Sequence, residues 1–130
     1  MSIVHTSGKR KRAVARATLK AGKGVVKVNG QPVENFGSLQ TQLKLQEPLL
    51  LIGDKASKVD VAVTTNGGGI QGQAVAARLA IARALAEWDE ALKETFDNYD
   101  RMLLVADVRR KETCKPNVSK ARKKRQKSYR

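Results

Sequence analysis

The C-terminal stretch from Arg109 to Arg130 constrains the fold of this chain more than any other part of its sequence. Eleven of its twenty-two residues are Lys or Arg, Glu112 is its only acidic residue, and its only aliphatic residues are Val118 and Ala121. That is too little apolar surface to offset the entropy lost when a backbone becomes ordered. We therefore predict a segment with no core of its own, disordered in the free protein and ordered by a polyanion. A solvated run of charge that only aids solubility is the alternative.

The net charge of +14 is distributed very unevenly over the 130 residues. Residues 1–33 sum to +8, residues 34–108 to −4 and residues 109–130 to +10. A slightly acidic middle between two strongly basic ends is typical of proteins that bind a phosphate backbone. A membrane surface is the weaker alternative, because neither basic end has the apolar face of a lipid-binding helix.

Composition also bounds the class of protein. With 41% hydrophobic residues the chain has material for one modest domain. Cys114 is the only cysteine and His5 the only histidine, so no internal disulfide or Cys/His metal site can form. No catalytic set of side chains can be assembled, which predicts no enzyme, no cofactor and no small-molecule substrate. We find no signal peptide, and the longest apolar run, Leu49–Ile52, is too short to span a membrane; a reducing, intracellular compartment is favoured.

The basic N-terminal region contains an alternating pattern. The segment from Ala13 to Lys20 alternates, which predicts a strand with one buried face. The predicted buried residues are Ala13, Ala15, Ala17 and Leu19, and the predicted outward residues are Val14, Arg16, Thr18 and Lys20. Continuing the pattern backwards adds Arg10 and Arg12 to the face of Arg16. Same-face neighbours on a strand recur every ~6.7 Å, close to the spacing of successive phosphates, so this row could follow a nucleic-acid backbone. A merely solvated edge is the alternative.

The remaining elements follow from periodicity and from turn residues. We predict strands at 3–6, 25–28 and 59–64, the first ended by a break at Ser7-Gly8, and a short helix at 32–36. Three leucines at near-helical spacing before Pro48 are expected to be core: Leu39, Leu43 and Leu45. Helices are predicted at 70–88 and, through Leu92, Phe96 and Tyr99, at 89–100, followed by a last apolar anchor at 102–108.

A glycine loop joins the last strand to the longest helix. Gly67 to Gly72 satisfies the G-x-G-x-x-G pattern of dinucleotide sites, but no acidic residue ends a second parallel strand about 20 residues later, which argues against such a site. The exposed amides and helix N-terminus would attract any phosphate, including one in RNA. A purely structural tight turn is an equally good explanation.

Aromatic residues are few. The chain has five, and only Tyr129 lies in a basic region, so we do not expect a platform on which single-stranded bases stack. Recognition should therefore depend on phosphates and on shape.

Four sequence blocks, taken in order, carry a resemblance. They are Gly8–Arg16, Gly67–Ala74, Arg109–Lys111 and Arg125–Arg130. Together they resemble the universal small-ribosomal-subunit protein nine family over the entire chain, and the ending Gln-Lys-Ser-Tyr-Arg is similar to the archaeal and eukaryotic branch. One departure is the stretch between Pro116 and Arg122, which lacks the Gly or Pro expected before the arginines.

The resemblance implies both a fold and a function. The fold would be an α+β domain at residues 1–108, a mixed sheet with two main helices packed on it, similar to the second domain of small-subunit ribosomal protein five, followed by an extended basic tail at 109–130. The function would be that of a structural constituent of the small ribosomal subunit in the cytoplasm. The implied partners are small-subunit rRNA in the head, neighbouring head proteins, and the anticodon stem-loop of the peptidyl-site tRNA, which the tail would reach.

The charge pattern and the resemblance together assign binding residues. Those assigned to rRNA are Lys9, Arg10, Lys11, Arg12, Arg16, Gly67, Gly68, Gly69, Gln71, Arg109, Arg110, Lys111, Lys115, Lys120, Arg122, Lys123, Lys124 and Arg125. Those assigned to tRNA are Lys127, Ser128, Tyr129 and Arg130. A free-standing basic protein that coats nucleic acid is the alternative from the binding class, and a small nucleotide-binding enzyme is the alternative from another class.

Overall fold

A five-stranded sheet backed by helices makes up the part of the chain that the computed structural model describes, residues 3–118, 120–122 and 129. Its strands are β1 (Val4–Arg10), β2 (Ala13–Ala21), β3 (Val26–Val28), β4 (Gln31–Pro32) and β5 (Val59–Asn66). Its α-helices are α1 (Leu39–Ile52), α2 (Ile70–Trp88) and α3 (Ala91–Tyr99). Short 3-10 helices lie at Val33–Asn35, Gly53–Lys58 and Arg101–Leu103.

The strands lie in the order β1-β2-β5-β3-β4. β2 pairs antiparallel with both β1 and β5, whereas β3 pairs parallel with β5 and antiparallel with β4. The prediction of an α+β fold with a mixed sheet is therefore confirmed. Three α-helices accompany the sheet, and not two, because α1 is a full helix of 14 residues.

The core forms on one face of the sheet. The alternation predicted for β2 is confirmed, because its small and apolar residues are at most 1% exposed: Ala13, Ala15, Ala17 and Leu19. Val59, Val61 and Val63 of β5 are buried beside them in the antiparallel register. Helix α2 packs on this face, and α1 and α3 pack against α2.

Helix α2 spans the predicted residues, and its alanines bring its backbone close to the sheet. Gly8 of β1 lies directly beneath it, where a Cβ atom would collide with the carbonyl oxygen of Ala76. The predicted break at Ser7-Gly8 is therefore wrong. β1 runs through both residues, and Gly8 is required by the close approach of the helix.

Helix α1 differs from the prediction that three of its leucines lie in the core. It continues through Pro48, which is buried against the core, so packing compensates for the hydrogen bond that proline cannot donate. Of the three leucines only Leu45 is buried, whereas Leu39 and Leu43 are 71% and 51% exposed. The true inward stripe of α1 also contains Thr41, whose hydroxyl donates to the carbonyl of Ser38 at 2.6 Å.

The C-terminal part of the domain follows the prediction more closely. In α3, Leu92 and Phe96 are buried as expected, but Tyr99 is 56% exposed and does not belong to the core. Leu103 is fully buried and anchors the following segment. At the predicted short helix of 32–36, Pro32 ends β4 and only Val33–Asn35 is helical.

Candidate nucleic-acid interface

A cleft about 1160 Å³ in volume opens beside the turn that joins β1 to β2. We call it the hairpin cleft. Three segments that are distant in sequence meet there, listed by residue as Arg10, Lys11, Arg12, Gly68, Gly69, Gln71, Gly72, Arg109, Arg110, Lys111, Glu112, Thr113 and Cys114. Six of these thirteen residues are Lys or Arg and one is acidic, so the wall of the cleft is strongly cationic.

The glycine loop forms one side of the hairpin cleft through a tight turn. Gly67 and Gly68 have φ angles of 74° and 64°, in the left-handed region. A Cβ atom on Gly67 would lie 2.7 Å from the carbonyl oxygen of Arg12, and one on Gly68 would lie 3.1 Å from the Cβ atom of Ala13. Both glycines are thus required by the close approach of this loop to the hairpin turn, which supports the structural explanation of the pattern.

The N-terminus of α2 faces the same cleft. Gly69 is the N-cap and supplies no side-chain acceptor, so the first-turn amides of α2 have no side-chain cap. Unsatisfied N–H groups and the helix dipole concentrate partial positive charge at this point. Gln71 lines the cleft and also accepts a hydrogen bond from Lys44 of α1 at 3.1 Å.

Asp107 fixes the chain where it leaves the domain. Its carboxylate accepts from Arg109 Nη2 at 2.7 Å and lies 3.4 Å from Arg10 Nε, and its side chain is only 9% exposed. The hydrogen bonds from the guanidinium and backbone N–H of Arg109, followed by the contact with Arg10, hold the pKa of Asp107 far below its usual range. Asp107 therefore neutralises part of the local charge and sets the position of both arginines.

Two further arginines bind this exit segment to β1 and to the hairpin turn. Arg110 Nη1 donates to the carbonyl of Lys11 at 3.1 Å. Arg83 of α2 donates to the carbonyls of Leu104 and Ser7, each at 2.9 Å. The path of the chain from residue 104 to 111 is consequently fixed by hydrogen bonds between arginine side chains and backbone carbonyls. No helix or strand occurs within residues 109–118.

A second cationic surface lies on the opposite face of the sheet, which no helix in the described part of the chain covers. We call it the open sheet face. Its exposed cations are Lys9 of β1, Arg16 and Lys20 of β2, and Lys27 of β3. Asp60 lies opposite Lys20, but backbone N–H groups of Val25 and Lys23 bind its carboxylate at 2.9 and 2.8 Å and lower its pKa.

The predicted row of Arg10, Arg12 and Arg16 does not exist. The chain reverses at Lys11 and Arg12, with Lys11 at a φ of 51°, and Arg10 pairs in register with Ala13. Directly opposed residues point to the same face, so Arg10 lies on the helical side with the buried Ala13. Arg16 lies on the open sheet face, and Arg12 lies at the turn between the two surfaces.

The other predicted residues fall into two groups. Lys115, Lys120, Arg122 and Tyr129 are exposed, and the carboxylate of Glu112 accepts from Lys115 at 3.2 Å and from Arg122 at 2.8 Å. Asn117, with a φ of 62°, makes the turn that follows Pro116. The rest lie outside the described residues, and they are Lys123, Lys124, Arg125, Lys127, Ser128 and Arg130. The predicted disorder of the tail stays a prediction.

Two residues of these surfaces, Lys27 and Asp107, were missed by sequence reasoning. Lys27 belongs to the open sheet face, and Asp107 organises the hairpin cleft. The alternation of β2 places Lys20 on the outward face as predicted, although Lys20 was not assigned to rRNA. Nothing in the sequence indicates that β3 lies beside β5 or that residue 107 returns to residue 10. Within the described residues no cluster of His, Cys, Asp and Glu is suited to a metal ion, and no helix is long and apolar enough to cross a membrane.

The fold and the charge together define a class, the small α+β proteins whose positive charge is concentrated on a few surfaces. Residues 8–130 match the family described as ribosomal protein S9/S16, and the chain belongs to this family. Its location is therefore the ribosome, in the cytoplasm. Members of this family are structural proteins without enzymatic activity, so the prediction that the chain is not an enzyme is confirmed.

Three archaeal relatives are similar over nearly the whole chain, and each carries the name small ribosomal subunit protein uS9. The protein of Methanothrix thermoacetophila is 48% identical over 132 residues and covers 100% of both chains. That of Pyrobaculum aerophilum is 47% identical, covering 98% of this chain and 92% of its own. That of Thermoplasma acidophilum is 51% identical, covering 96% and 98%. The predicted family, in its archaeal and eukaryotic type, is thus confirmed.

Proposed function

We propose that the chain is a constituent of the small ribosomal subunit that binds small-subunit rRNA through the hairpin cleft and the open sheet face. The observation that carries this proposal is the convergence of residues 10–12, 68–72 and 109–114 around one cationic cleft of about 1160 Å³. The names of the relatives support the small subunit as the particle concerned.

Within the hairpin cleft the cations have different roles. Arg10 and Arg109 share the carboxylate of Asp107, so they fix the exit segment and have less charge to offer a phosphate. Lys11, Arg12 and Lys111 make no ion pair among the described residues, and their charge is available to phosphates. Each phosphate that they neutralise releases condensed counterions, which makes binding favourable and dependent on salt.

The open sheet face would bind a second backbone segment. Lys9, Arg16, Lys20 and Lys27 lie on β1, β2 and β3, and β5 lies between β2 and β3, so they extend across four neighbouring strands about 4.8 Å apart in the direction of the hydrogen bonds. None of the strands β1, β2, β3 and β5 contains Phe, Trp or Tyr, which favours contacts to phosphate and ribose over the stacking of bases.

The length of the tail would allow it to contact a partner far from the folded domain. We propose that residues 109–130 extend from the domain of residues 1–108, within the head of the subunit, to the anticodon stem-loop of the peptidyl-site tRNA, with Lys127, Ser128, Tyr129 and Arg130 at the contact. Tyr129 is 91% exposed. An extended chain spans at most ~3.3 to 3.6 Å per residue, so some twenty residues cover tens of ångströms.

The family resemblance also supports a fold like that of the second domain of small-subunit ribosomal protein five and contacts with neighbouring head proteins.

The rRNA interface can be tested by the salt dependence of binding. Full-length protein is titrated onto small-subunit rRNA between 50 and 300 mM KCl, and the K11A/R12A variant is compared with K93A/R101A. The control removes the same charge from exposed positions on α3 and just after it. The slope of log K against log salt should fall by about 1 to 2 in the first variant, at roughly 0.7 to 0.9 per phosphate contact, and by much less in the control.

Equal slopes in the two variants would overturn the hairpin cleft as a binding surface. The free-standing coating protein is tested separately, by washing small subunits that contain the chain. Retention through high salt supports a constituent of the particle, whereas elution at moderate salt would support a coating protein.

A further inference from the structure

A row of three side chains crosses the middle of the open sheet face. The strand register places Ser7 of β1 and Thr64 of β5 directly opposite Arg16 of β2, one on each side of it. Directly opposed side chains on antiparallel strands point to the same face, with Cβ atoms about 4.5 to 5.5 Å apart. All three residues are exposed. A guanidinium is therefore flanked by two hydroxyl groups, within the dimensions of a single nucleotide.

The hydroxyls of this row are available to a ligand. In the neighbouring row of the same face, Thr18 Oγ1 lies 3.1 Å from His5 Nδ1, so those two side chains already have a partner. The side chains of Ser7 and Thr64 form no hydrogen bond within the described part of the chain. The backbone of Ser7 is also fixed, because β2 pairs on one side of it and Arg83 Nη1 donates to its carbonyl oxygen at 2.9 Å. A group that is fixed before binding loses little conformational entropy when a ligand arrives.

The charge around the row is positive. The cations that share this face with Arg16 are Lys9, Lys20 and Lys27. Asp60 is the only acidic residue in β1, β2, β3 and β5, and it lies four residues, about 13 Å, along β5 from position 64. Its carboxylate is already bound by two backbone N–H groups. This distribution of charge complements the phosphates of a nucleic acid.

A ribonucleotide carries two neighbouring groups that match the row. Its phosphate can bind the planar fork of a guanidinium. Its 2′-hydroxyl, which lies beside the 3′-phosphate on the same sugar, both donates and accepts hydrogen bonds, as the hydroxyls of Ser and Thr do. DNA lacks the 2′-hydroxyl and would offer the side chains of Ser7 and Thr64 no such partner.

We propose that Ser7, Arg16 and Thr64 make the open sheet face selective for RNA over DNA, with a phosphate on Arg16 and a ribose 2′-hydroxyl on a flanking side chain. This inference rests on the proposed function, in which phosphate contacts alone would bind either polymer. Ser7 and Thr64 are then specificity-determining residues, whereas the cations of the same face supply affinity for any phosphate backbone.

The test compares transcripts of small-subunit rRNA that differ at the 2′ position. One contains ribonucleotides, and two others contain 2′-fluoro pyrimidines or 2′-fluoro purines, which keep the A-form sugar conformation but cannot donate a hydrogen bond. Full-length wild-type protein should bind at least one fluoro transcript about 3- to 10-fold more weakly, as expected for the loss of one hydrogen bond. This difference should disappear in S7A/T64V, because valine has the shape of threonine without its hydroxyl.

A control variant and a second measurement separate ribose recognition from a structural effect. S57A/T95V removes the same two kinds of hydroxyl from exposed positions on the 3-10 helix Gly53–Lys58 and on α3, and it should discriminate as wild type does. The salt slope of S7A/T64V should equal that of wild type, because no charge is removed, whereas displacement of Arg16 would lower it.

Three results would overturn the inference: equal binding of all transcripts by wild type, wild-type discrimination in S7A/T64V, or a lower salt slope in that variant. Failure of the wild-type chain to bind the ribonucleotide transcript would overturn the proposed function itself, which distinguishes the two failures.

Discussion

The guanidinium of Arg10 lies 3.4 Å from the carboxylate of Asp107, although 97 residues separate them in the chain. This contact joins the end of β1 to the segment that leaves the domain. The guanidinium of Arg109 also donates three hydrogen bonds to the same carboxylate. The basic residues of the two ends of the chain are thereby brought to one cleft. Without a carboxylate at this position, the two arginines would repel each other.

Replacing this carboxylate should change how stability depends on pH. The pKa of Asp107 is lowered in the folded state, so the stabilisation is complete above its unfolded pKa of about 3.9 and is lost as pH falls towards the folded value. Asp107→Asn should therefore be less stable than wild type at pH 5 to 7, and the difference should shrink below pH 4. Urea unfolding from pH 2.5 to 7 measures this difference. Asp54→Asn is the control, because the exposed Asp54 side chain makes no bond among the described residues.

The position of Gly8 predicts a stability effect that depends on a single methyl group. Gly8→Ala places a Cβ atom against the backbone of Ala76 and Ala80, and neither α2 nor β1 can move without disturbing the core. We expect a loss of about 1 to 3 kcal/mol, or more, in the free energy of unfolding. Gly72→Ala, whose Cβ atom would meet its nearest neighbour at 3.4 Å, should be neutral or stabilising by up to about 1 kcal/mol. Equal effects in denaturant unfolding would contradict the packing shown here.

The comparison of Gly8 with β2 shows where local sequence is sufficient and where it is not. The alternation of Ala13, Ala15 and Ala17 is a property of neighbouring residues, so it identified both the strand and its buried face. Gly8 and Pro48 are turn or breaker residues by local rules, yet a helix packed on one and a core packed around the other keep them inside regular elements. Packing partners far along the chain decided these two positions.

The binding residues show the same limit. The sequence indicates that the two ends are basic, and both cationic surfaces are built from them. It does not indicate that the chain turns at Lys11, which separates Arg10 from Arg16, or that β3 brings Lys27 beside β5. Which cations share a surface is a property of strand register and strand order, and neither is local.

The two cationic surfaces should contribute separately to rRNA binding. If both contact phosphates, R16A/K20A should lower the salt slope by about 1 to 2, and its effect should add to that of K11A/R12A, because the surfaces share no side chain. Circular dichroism should show unchanged folding in each variant, since all four side chains are exposed. An unchanged slope in R16A/K20A would mean that the open sheet face is only a solvated surface. If the combined variant lowers the slope by less than the sum of the two separate changes, one RNA segment crosses both cationic surfaces.

Deleting Ser128 to Arg130 should weaken retention of tRNA without preventing assembly. A guanidinium binds a phosphate through a planar pair of donors, but salt and water screen a single exposed contact of this kind. The net contact should then be modest, about 1 to 3 kcal/mol, which corresponds to roughly a 5- to 150-fold faster release of tRNA from the peptidyl site. Release is measured with truncated subunits at fixed salt and Mg²⁺, beside subunits that contain Lys93→Ala, whose tRNA release should equal wild type because position 93 lies on α3 and not in the tail. Truncated subunits that assemble normally and release tRNA at the wild-type rate would show that the terminal arginine has no part in holding it.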